Sequence, residues 1–151
     1  MNEPLFHHVL VPTDGSENSI KAARLAFRVA AASAAPVTLL YVIDTAVLEE
    51  IARFSEQQRT ELQQELRQNG LRYLNYLDML GREANLTIHQ AIREGEPYHE
   101  IVALAAELAV DLIVMGHIGR RGPRRILIGS VTERVLEFAN CPVLVVKDHE
   151  D

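Results

Sequence analysis

Five short apolar runs, separated by segments with helical periodicity, constrain the fold of this chain more than any other feature. Four of them consist mostly of β-branched residues and leucine with little alternation. This pattern is typical of strands covered on both faces of a parallel sheet. The third run alternates more and indicates a strand nearer an edge. The runs span residues 7–12, 36–44, 86–95, 111–117 and 142–147.

The segments between the runs predict helices. Residues 17–33 have one apolar face, Pro97 suits the first turn of a further helix, and residues 62–80 have the pattern of a long helix with a solvated outer side. The pattern is weaker over 45–58, where we expect a loop with a helical turn. The residues expected on the buried helix faces are Ile20, Ala23, Phe27, Ala30, Leu62, Leu66, Tyr73, Tyr76, Leu77, Leu80, Ile101, Leu104, Ala105, Leu108, Val131, Val135, Phe138 and Ala139.

Strands that alternate with helices predict an α/β fold with a five-stranded parallel sheet and helices on both faces. The 151 residues suit a single domain, 1–151. Right-handed crossovers leave few strand orders. We take 3-2-1-4-5 as the best of these orders, although the spacing alone does not decide it. In that order the winding direction reverses between strands 1 and 4, and ligands of such sheets bind at the carboxyl ends of the strands there.

Composition narrows the class of function. The net charge of −6 argues against nucleic-acid binding, and no run approaches the ~20 apolar residues that cross a bilayer. The first residues do not form a basic segment followed by an apolar one, so we expect no signal peptide. Together with a single cysteine, Cys141, this favours the cytoplasm. The six histidines are scattered, and we expect no metal site built by side chains.

Residues 115–130, MGHIGRRGPRRILIGS, combine four glycines with four arginines directly after the fourth run. Glycine lets a ligand approach backbone N–H groups closely. A helix with Ser130 as its N-cap and Glu133 at capping-box spacing would present N–H groups and partial positive charge. Together these features predict a phosphate site. The segment lacks the Gly-Lys-Ser/Thr ending of a Walker A loop.

The first loop, PTDGSENS at 12–19, would lie beside that segment. Asp14 is suited to accept hydrogen bonds from ribose hydroxyls, or to polarise a metal-bound water, and is poorly suited to meet phosphate. Alternatively, Asp14 serves only as a turn or helix cap, since TDGS is good turn chemistry. The two loops together predict a nucleotide site, with sugar and base toward the first loop and strand 2, and phosphates toward the second loop.

The spacing Gly-x2-Gly-x9-Gly-Ser, formed by Gly116, Gly119, Gly129 and Ser130, resembles the ATP-binding signature of the universal stress protein family. VLVPTDGSENS, LLYVID, GEPYHEIVALAAELAVDLIVMG and GSVTERVLEFANCPVLVV are also similar to segments of that family, so the likeness is weakest only over 45–85. The resemblance implies a Rossmann-like fold with strand order 3-2-1-4-5. It also implies a homodimer through the strand at 142–147, with a tetramer as an open alternative.

The resemblance further implies the ligand and its contacts. The ligand would be ATP, with AMP or ADP as alternatives and with Mg²⁺ carried by the phosphates. Base and ribose would contact the first loop and strand 2, and phosphates and ribose would contact the second loop. The implied nucleotide-binding residues are Pro12, Thr13, Asp14, Val42, Met115, Gly116, Gly119, Arg120, Gly129, Ser130, Val131 and Thr132.

The interior of the second loop departs from the family pattern. Arg121, Arg124 and Arg125 carry more positive charge than phosphate binding requires. They would strengthen phosphate binding, meet an acidic partner or form a solvated surface, and the sequence leaves these three roles open.

The leading hypothesis is a nucleotide-dependent regulator or sensor in the stress response, which binds ATP with little or no turnover and acts on a protein partner. The alternatives are a slow ATPase or adenylate-handling enzyme, and a nucleotide-free scaffold. Against the enzyme, the second loop contains no lysine and we assign no catalytic residue. The complete glycine signature argues against a scaffold that binds no nucleotide.

Overall fold

The computed structural model describes residues 3–118 and 128–147. Strands and helices follow one another in the predicted order, with one additional helix between the second strand and the long helix. The strands are β1 (Val9–Pro12), β2 (Val37–Asp44), β3 (Ile88–Gly95), β4 (Leu112–Gly116) and β5 (Val143–Val146). The helices are α1 (Glu17–Ser33), α2 (Thr45–Phe54), α3 (Arg59–Glu83), α4 (Pro97–Glu107) and α5 (Ser130–Phe138).

The sheet has the order β3-β2-β1-β4-β5, and each neighbouring pair is parallel. This confirms the predicted α/β fold and strand order. β1 lies at the centre, because Val9 is in register with Val37 of β2 on one side and with Leu112 of β4 on the other. Every residue of β1 is buried, as its uninterrupted apolar run predicts. The winding direction therefore reverses between β1 and β4.

Two helix layers cover the sheet. α1, α2 and α3 share a core with Val9 and Val11 on one face, whereas α4 and α5 share a core with Leu10 on the other. Successive residues of β1 supply the two cores in turn, because side chains of a strand alternate between faces. Burial of each such side chain stabilises the fold by roughly 1.5–3 kcal/mol.

The prediction of a loop with a helical turn at 45–58 is wrong, because residues 45–54 form the helix α2. Asp44 caps this helix: its Oδ1 accepts hydrogen bonds from the amides of Ala46 at 3.1 Å and Val47 at 3.3 Å. Leu48 is the buried residue of α2. Val47, Ile51 and Phe54 recur at helical spacing, so the sequence did contain a helical signal here, although the structure leaves Ile51 and Phe54 exposed.

Three residues predicted on buried helix faces are exposed instead. Leu108 is 38% exposed because it is the C-cap of α4, one residue beyond the last full turn. Phe138, at the end of α5, is 49% exposed and packs beside Tyr98 with ring centroids 5.6 Å apart. Tyr76 lies on the outer side of α3, where its hydroxyl accepts a hydrogen bond from Arg24. Among the described residues, no helix has the length and apolarity that a membrane span needs.

Candidate functional site

A cleft of about 490 Å³ opens at the carboxyl ends of β1, β2 and β4. It lies where the winding direction reverses, which is the usual ligand position in such sheets. Ten of the twelve residues predicted to bind nucleotide line this cleft, and the other two, Gly119 and Arg120, lie outside the described residues. The ten are Pro12, Thr13, Asp14, Val42, Met115, Gly116, Gly129, Ser130, Val131 and Thr132.

Thr13 begins the first loop and is fixed by hydrogen bonds in the interior. Its amide donates to the carbonyl of Leu40 at 2.8 Å, which continues the pairing of β1 with β2. Its hydroxyl accepts a bond from the amide of Gly15 at 3.2 Å and lies 2.9 Å from the hydroxyl of Ser19. Thr13 therefore holds the loop in place through its side chain, and these bonds fix its own position in the lining of the cleft.

Asp14 occupies a turn that its own side chain closes. The amide of Ser16 donates to Asp14 Oδ1 at 2.9 Å, and Gly15 between them has a φ of +81°, which favours glycine. Ser16 then caps α1, since its hydroxyl accepts from the amide of Ser19 at 3.2 Å. The turn role proposed for Asp14 is thus present, the helix cap belongs to Ser16, and Asp14 also lines the cleft.

Gly116 ends β4 against the first turn of α1. A Cβ at this position would lie 3.1 Å from the backbone carbonyl of Asn18, so glycine allows the helix to approach the strand closely. The carbonyl of Gly116 accepts a hydrogen bond from the hydroxyl of Thr132 at 2.9 Å. Nearby, the amide of Gly129 donates to the carbonyl of His117 at 2.6 Å. These two bonds join the described ends of the second loop.

The start of α5 faces the cleft, but its cap differs from the prediction. Gly129 is the N-cap and Ser130 is the first helical residue, so the prediction of Ser130 as N-cap is wrong. Gly129 has φ −74° and ψ 159°, a conformation open to any residue. Residues 129–132 line the cleft, and no side chain caps the first-turn amides of α5. That position combines N–H groups with the positive end of the helix dipole.

Further lining residues were not predicted from the sequence. Asp44 adds a second carboxylate at the end of β2, although its Oδ1 is engaged as the cap of α2. Its position as the last residue of a predicted strand was the one signal that could have identified it. The others come from α1, from strand interiors and from helices that fold over the cleft. The unpredicted lining residues are Ser19, Leu40, Tyr41, Asp44, Val47, Leu66, Pro97, Ile101 and Ile118.

The chemistry of the cleft is mixed, with an apolar wall and a polar end. Val42, Val47, Leu66, Ile101 and Met115 provide apolar surface that suits a planar aromatic ring. The carboxylates suit hydroxyl donors, and the start of α5 suits an anion. Within the described part of the chain, no group of three or more His, Cys, Asp or Glu residues is arranged to hold a metal ion.

A separate polar cluster lies at the opposite, amino edge of the sheet. Asp111 accepts hydrogen bonds from the amides of His7 at 2.9 Å and His8 at 3.0 Å, and from the His7 ring at 3.2 Å. Burial works to raise the pKa of Asp111, but these hydrogen bonds outweigh it and hold the pKa below its usual value. The cluster ties the segment before β1 to the start of β4 and does not line the cleft.

Comparison with known proteins adds to this geometry. A sequence model of the universal stress protein family matches residues 5–147. The chain is 40% identical over 146 residues to the universal stress protein MJ0531 of Methanocaldococcus jannaschii, covering 96% of this chain and 84% of that protein. The solved structure of MJ0577, from the same organism, superposes with a TM-score of 0.85 at 31% identity, covering 97% of this chain and 99% of the other.

A second solved structure contains a ligand. It is a universal stress protein in complex with cAMP, with a TM-score of 0.67 and 26% identity, covering 94% of this chain and 97% of the other.

Proposed function

The chain belongs to the universal stress protein family, and from this premise we propose that its cleft binds an adenine nucleotide whose occupancy regulates a protein partner. The observation that carries the proposal is the convergence of an apolar wall, Asp14 and the uncapped start of α5 in one cleft. A nucleotide needs these three surfaces for its base, sugar and phosphates. The cAMP complex of a related protein supports the class of ligand.

The proposed orientation of the nucleotide follows from the chemistry of each loop. Base and ribose lie against the first loop and β2, where Asp14 accepts from ribose hydroxyls. Phosphates lie at the start of α5 and in the second loop, with Mg²⁺ carried on the phosphates. The proposed contacts are Pro12, Thr13, Asp14 and Val42 for base and ribose, and Met115, Gly116, Gly119, Arg120, Gly129, Ser130, Val131 and Thr132 for ribose and phosphates.

We propose little or no turnover of the bound nucleotide. The described residues that line the cleft include two carboxylates and several hydroxyls but no lysine, histidine or cysteine. Asp14 is engaged by the amide of Ser16, and Asp44 by the start of α2. A signal based on occupancy then requires that the partner bind the occupied and the empty protein with different affinity.

The test is to identify the nucleotide that accompanies the purified protein. Acid extraction and mass spectrometry would show what is bound, and thermal shifts with ATP, ADP, AMP and cAMP would rank affinities. A ligand at ~100 times its Kd adds about 2.7 kcal/mol of stability, or roughly 5–10 °C for a domain of this size. Co-purified ATP or cAMP supports the regulator. Production of AMP or ADP in a single turnover supports the enzyme, and no ligand with no shift supports the scaffold.

We also propose a homodimer through β5, in the cytoplasm. β5 is an edge strand that pairs with β4, and all four of its residues are only partly buried. An apolar edge of this kind invites pairing with a second strand. Light scattering tests it: Val145→Lys, or truncation before Val143, should yield monomers or aggregates. A dimer of native size from both variants would place the interface elsewhere.

A further inference from the structure

Two tyrosines and two glycines join helix α3 to β2 and to the first loop of the cleft. Tyr41 of β2 and Tyr73 of α3 meet edge to face, with ring centroids 5.9 Å apart and planes at 62°. Each ring also lies on the backbone of a glycine: Tyr41 on Gly70 of α3, and Tyr73 on Gly15 of the first loop. Gly70 and Tyr73 are three residues apart and therefore share one face of α3.

These contacts leave no room for a side chain at either glycine. A Cβ at Gly70 would lie 2.6 Å from Cε1 of Tyr41, and a Cβ at Gly15 would lie 2.5 Å from Cε2 of Tyr73. Both distances are shorter than the closest approach of two non-bonded carbon atoms in proteins. The ring of Tyr73 thus rests directly on Gly15, whose φ of +81° makes the turn possible.

The turn at Gly15 determines where Asp14 lies. Ser16 and Gly15 donate their amides to Asp14 and Thr13, so a shift of Gly15 moves both side chains. Among the described residues Tyr41 lines the cleft whereas Tyr73 does not. Tyr73 therefore contacts the loop without lining the described part of the cleft, and it is placed to affect a ligand through the loop.

We propose that Tyr73 is a positioning residue that sets the nucleotide affinity of the cleft by holding the first loop in its binding conformation. The inference rests on the proposed function, because it names a determinant of affinity at the same site. A protein whose binding-competent conformation is only partly populated binds with an affinity reduced by that fraction. Removing the ring allows Gly15 to leave its turn, and Asp14 then reaches the ribose only part of the time.

The test compares three variants by calorimetric titration with adenosine and with ATP. Tyr73→Leu should raise both Kd values by about tenfold, if the loop is then formed about a tenth of the time. The factors should be equal, since the first loop is assigned to base and ribose. Tyr73→Phe keeps the ring on Gly15 and should therefore bind both ligands more tightly than Tyr73→Leu does. Tyr73→Met, whose unbranched side chain is longer and adapts more readily to the site, replaces the leucine variant if circular dichroism shows that the latter is unfolded.

Leu77→Ala is the matched control. Leu77 is buried one turn further along the same helix and contacts the core. Its truncation should lower the thermal midpoint and leave both Kd values unchanged. If Leu77→Ala weakens binding as much as Tyr73→Leu does, affinity follows global stability and the inference is overturned. It is also overturned if Tyr73→Phe loses as much affinity as Tyr73→Leu, or if Tyr73→Leu binds normally.

A double-mutant cycle tests the route through Asp14. In an Asp14→Ala background, Tyr73→Leu should cost little further affinity, because the group that it positions is already absent. An equal additional loss in that background would show that Tyr73 acts independently of Asp14. The wild type separates the two proposals: if it binds no adenine nucleotide, the proposed function falls and the inference falls with it. If the wild type binds the nucleotide and Tyr73→Leu binds it equally well, the role of Tyr73 is overturned and the proposed function stands.

Discussion

The two loops that form the cleft both depend on glycine, but for different physical reasons. Gly15 in the first loop has a φ of +81°, so glycine is needed there for backbone conformation. Gly129 in the second loop has a φ of −74°, which every residue adopts, so nothing in its backbone requires glycine. Glycine therefore makes a turn possible in the first loop, whereas in the second loop it leaves the start of α5 without a capping side chain.

The loops also differ in how they are held. The first is closed by its own side chains, through the hydrogen bonds of Thr13, Asp14 and Ser16. The described ends of the second are joined by one bond from the Gly129 amide to the His117 carbonyl and one from the Thr132 hydroxyl to the Gly116 carbonyl. The self-closed turn positions a carboxylate, while the bonds across the second loop position the start of α5.

The largest effect is expected from Gly129→Val. The backbone accepts valine without strain, but the side chain would cover the first-turn amides of α5. Loss of two or more hydrogen bonds to a charged phosphate predicts a fall in ATP affinity of about 100-fold or more, with the fold intact by circular dichroism. Glu137→Val, at an exposed position of the same helix, is the control. Unchanged ATP affinity in the glycine variant would remove this helix start from the site.

The polarity of the site is tested by comparing Asp14→Ala with Arg120→Ala. Asp14→Ala should weaken adenosine and ATP alike, by about 1.5–3 kcal/mol for a charged hydrogen bond. Arg120→Ala should weaken ATP more than adenosine, because an arginine is suited to phosphate. Isothermal titration calorimetry of each variant with each ligand gives the four Kd values to compare with those of the wild type. The opposite ranking would reverse the orientation proposed for the nucleotide.

Alanine substitutions at Gly15 and Gly129 test whether the two glycines have different conformational roles. Gly15→Ala should lower the free energy of unfolding by about 1–2 kcal/mol from the left-handed conformation alone, and further because of contact with Tyr73. Gly129→Ala carries no such conformational penalty. Urea denaturation measures both. Equal losses would mean that the two glycines do not serve different purposes.

The smallest effect on binding is expected at the amino edge of the sheet. Asp111→Asn should leave nucleotide affinity unchanged and reduce stability by less than about 1 kcal/mol, since the pair with His7 is exposed. The pKa of Asp111 is lowered in the folded protein, so its contribution is complete above the unfolded pKa of about 3.9 and is lost as pH falls through the folded value. The stability difference between wild type and variant should therefore shrink below about pH 4. A difference that persists at pH 2–3 would contradict this account.

Local patterns in the sequence identified the five strands and their parallel arrangement and indicated the turn at Asp14, whereas the strand order was one choice among several until the structure confirmed it. Uninterrupted apolar runs mark buried strands, and TDGS has the composition of a tight turn. The resemblance to the universal stress protein family supplied the ten predicted residues that line the cleft, and they meet there because the carboxyl ends of neighbouring parallel strands lie at one edge. Four of the five helices were visible through their periodicity.

The remaining features depend on how helices and strands pack in the folded protein. α2 buries Leu48 but leaves Ile51 and Phe54 exposed, although all three are apolar. Val47 and Leu66 join the cleft because their helices fold over it. The contact of Tyr73 with Gly15 joins positions 58 residues apart in the chain, and neither residue type predicts the other. Long-range packing of this kind depends on how whole elements dock, and local propensity contains no information about docking.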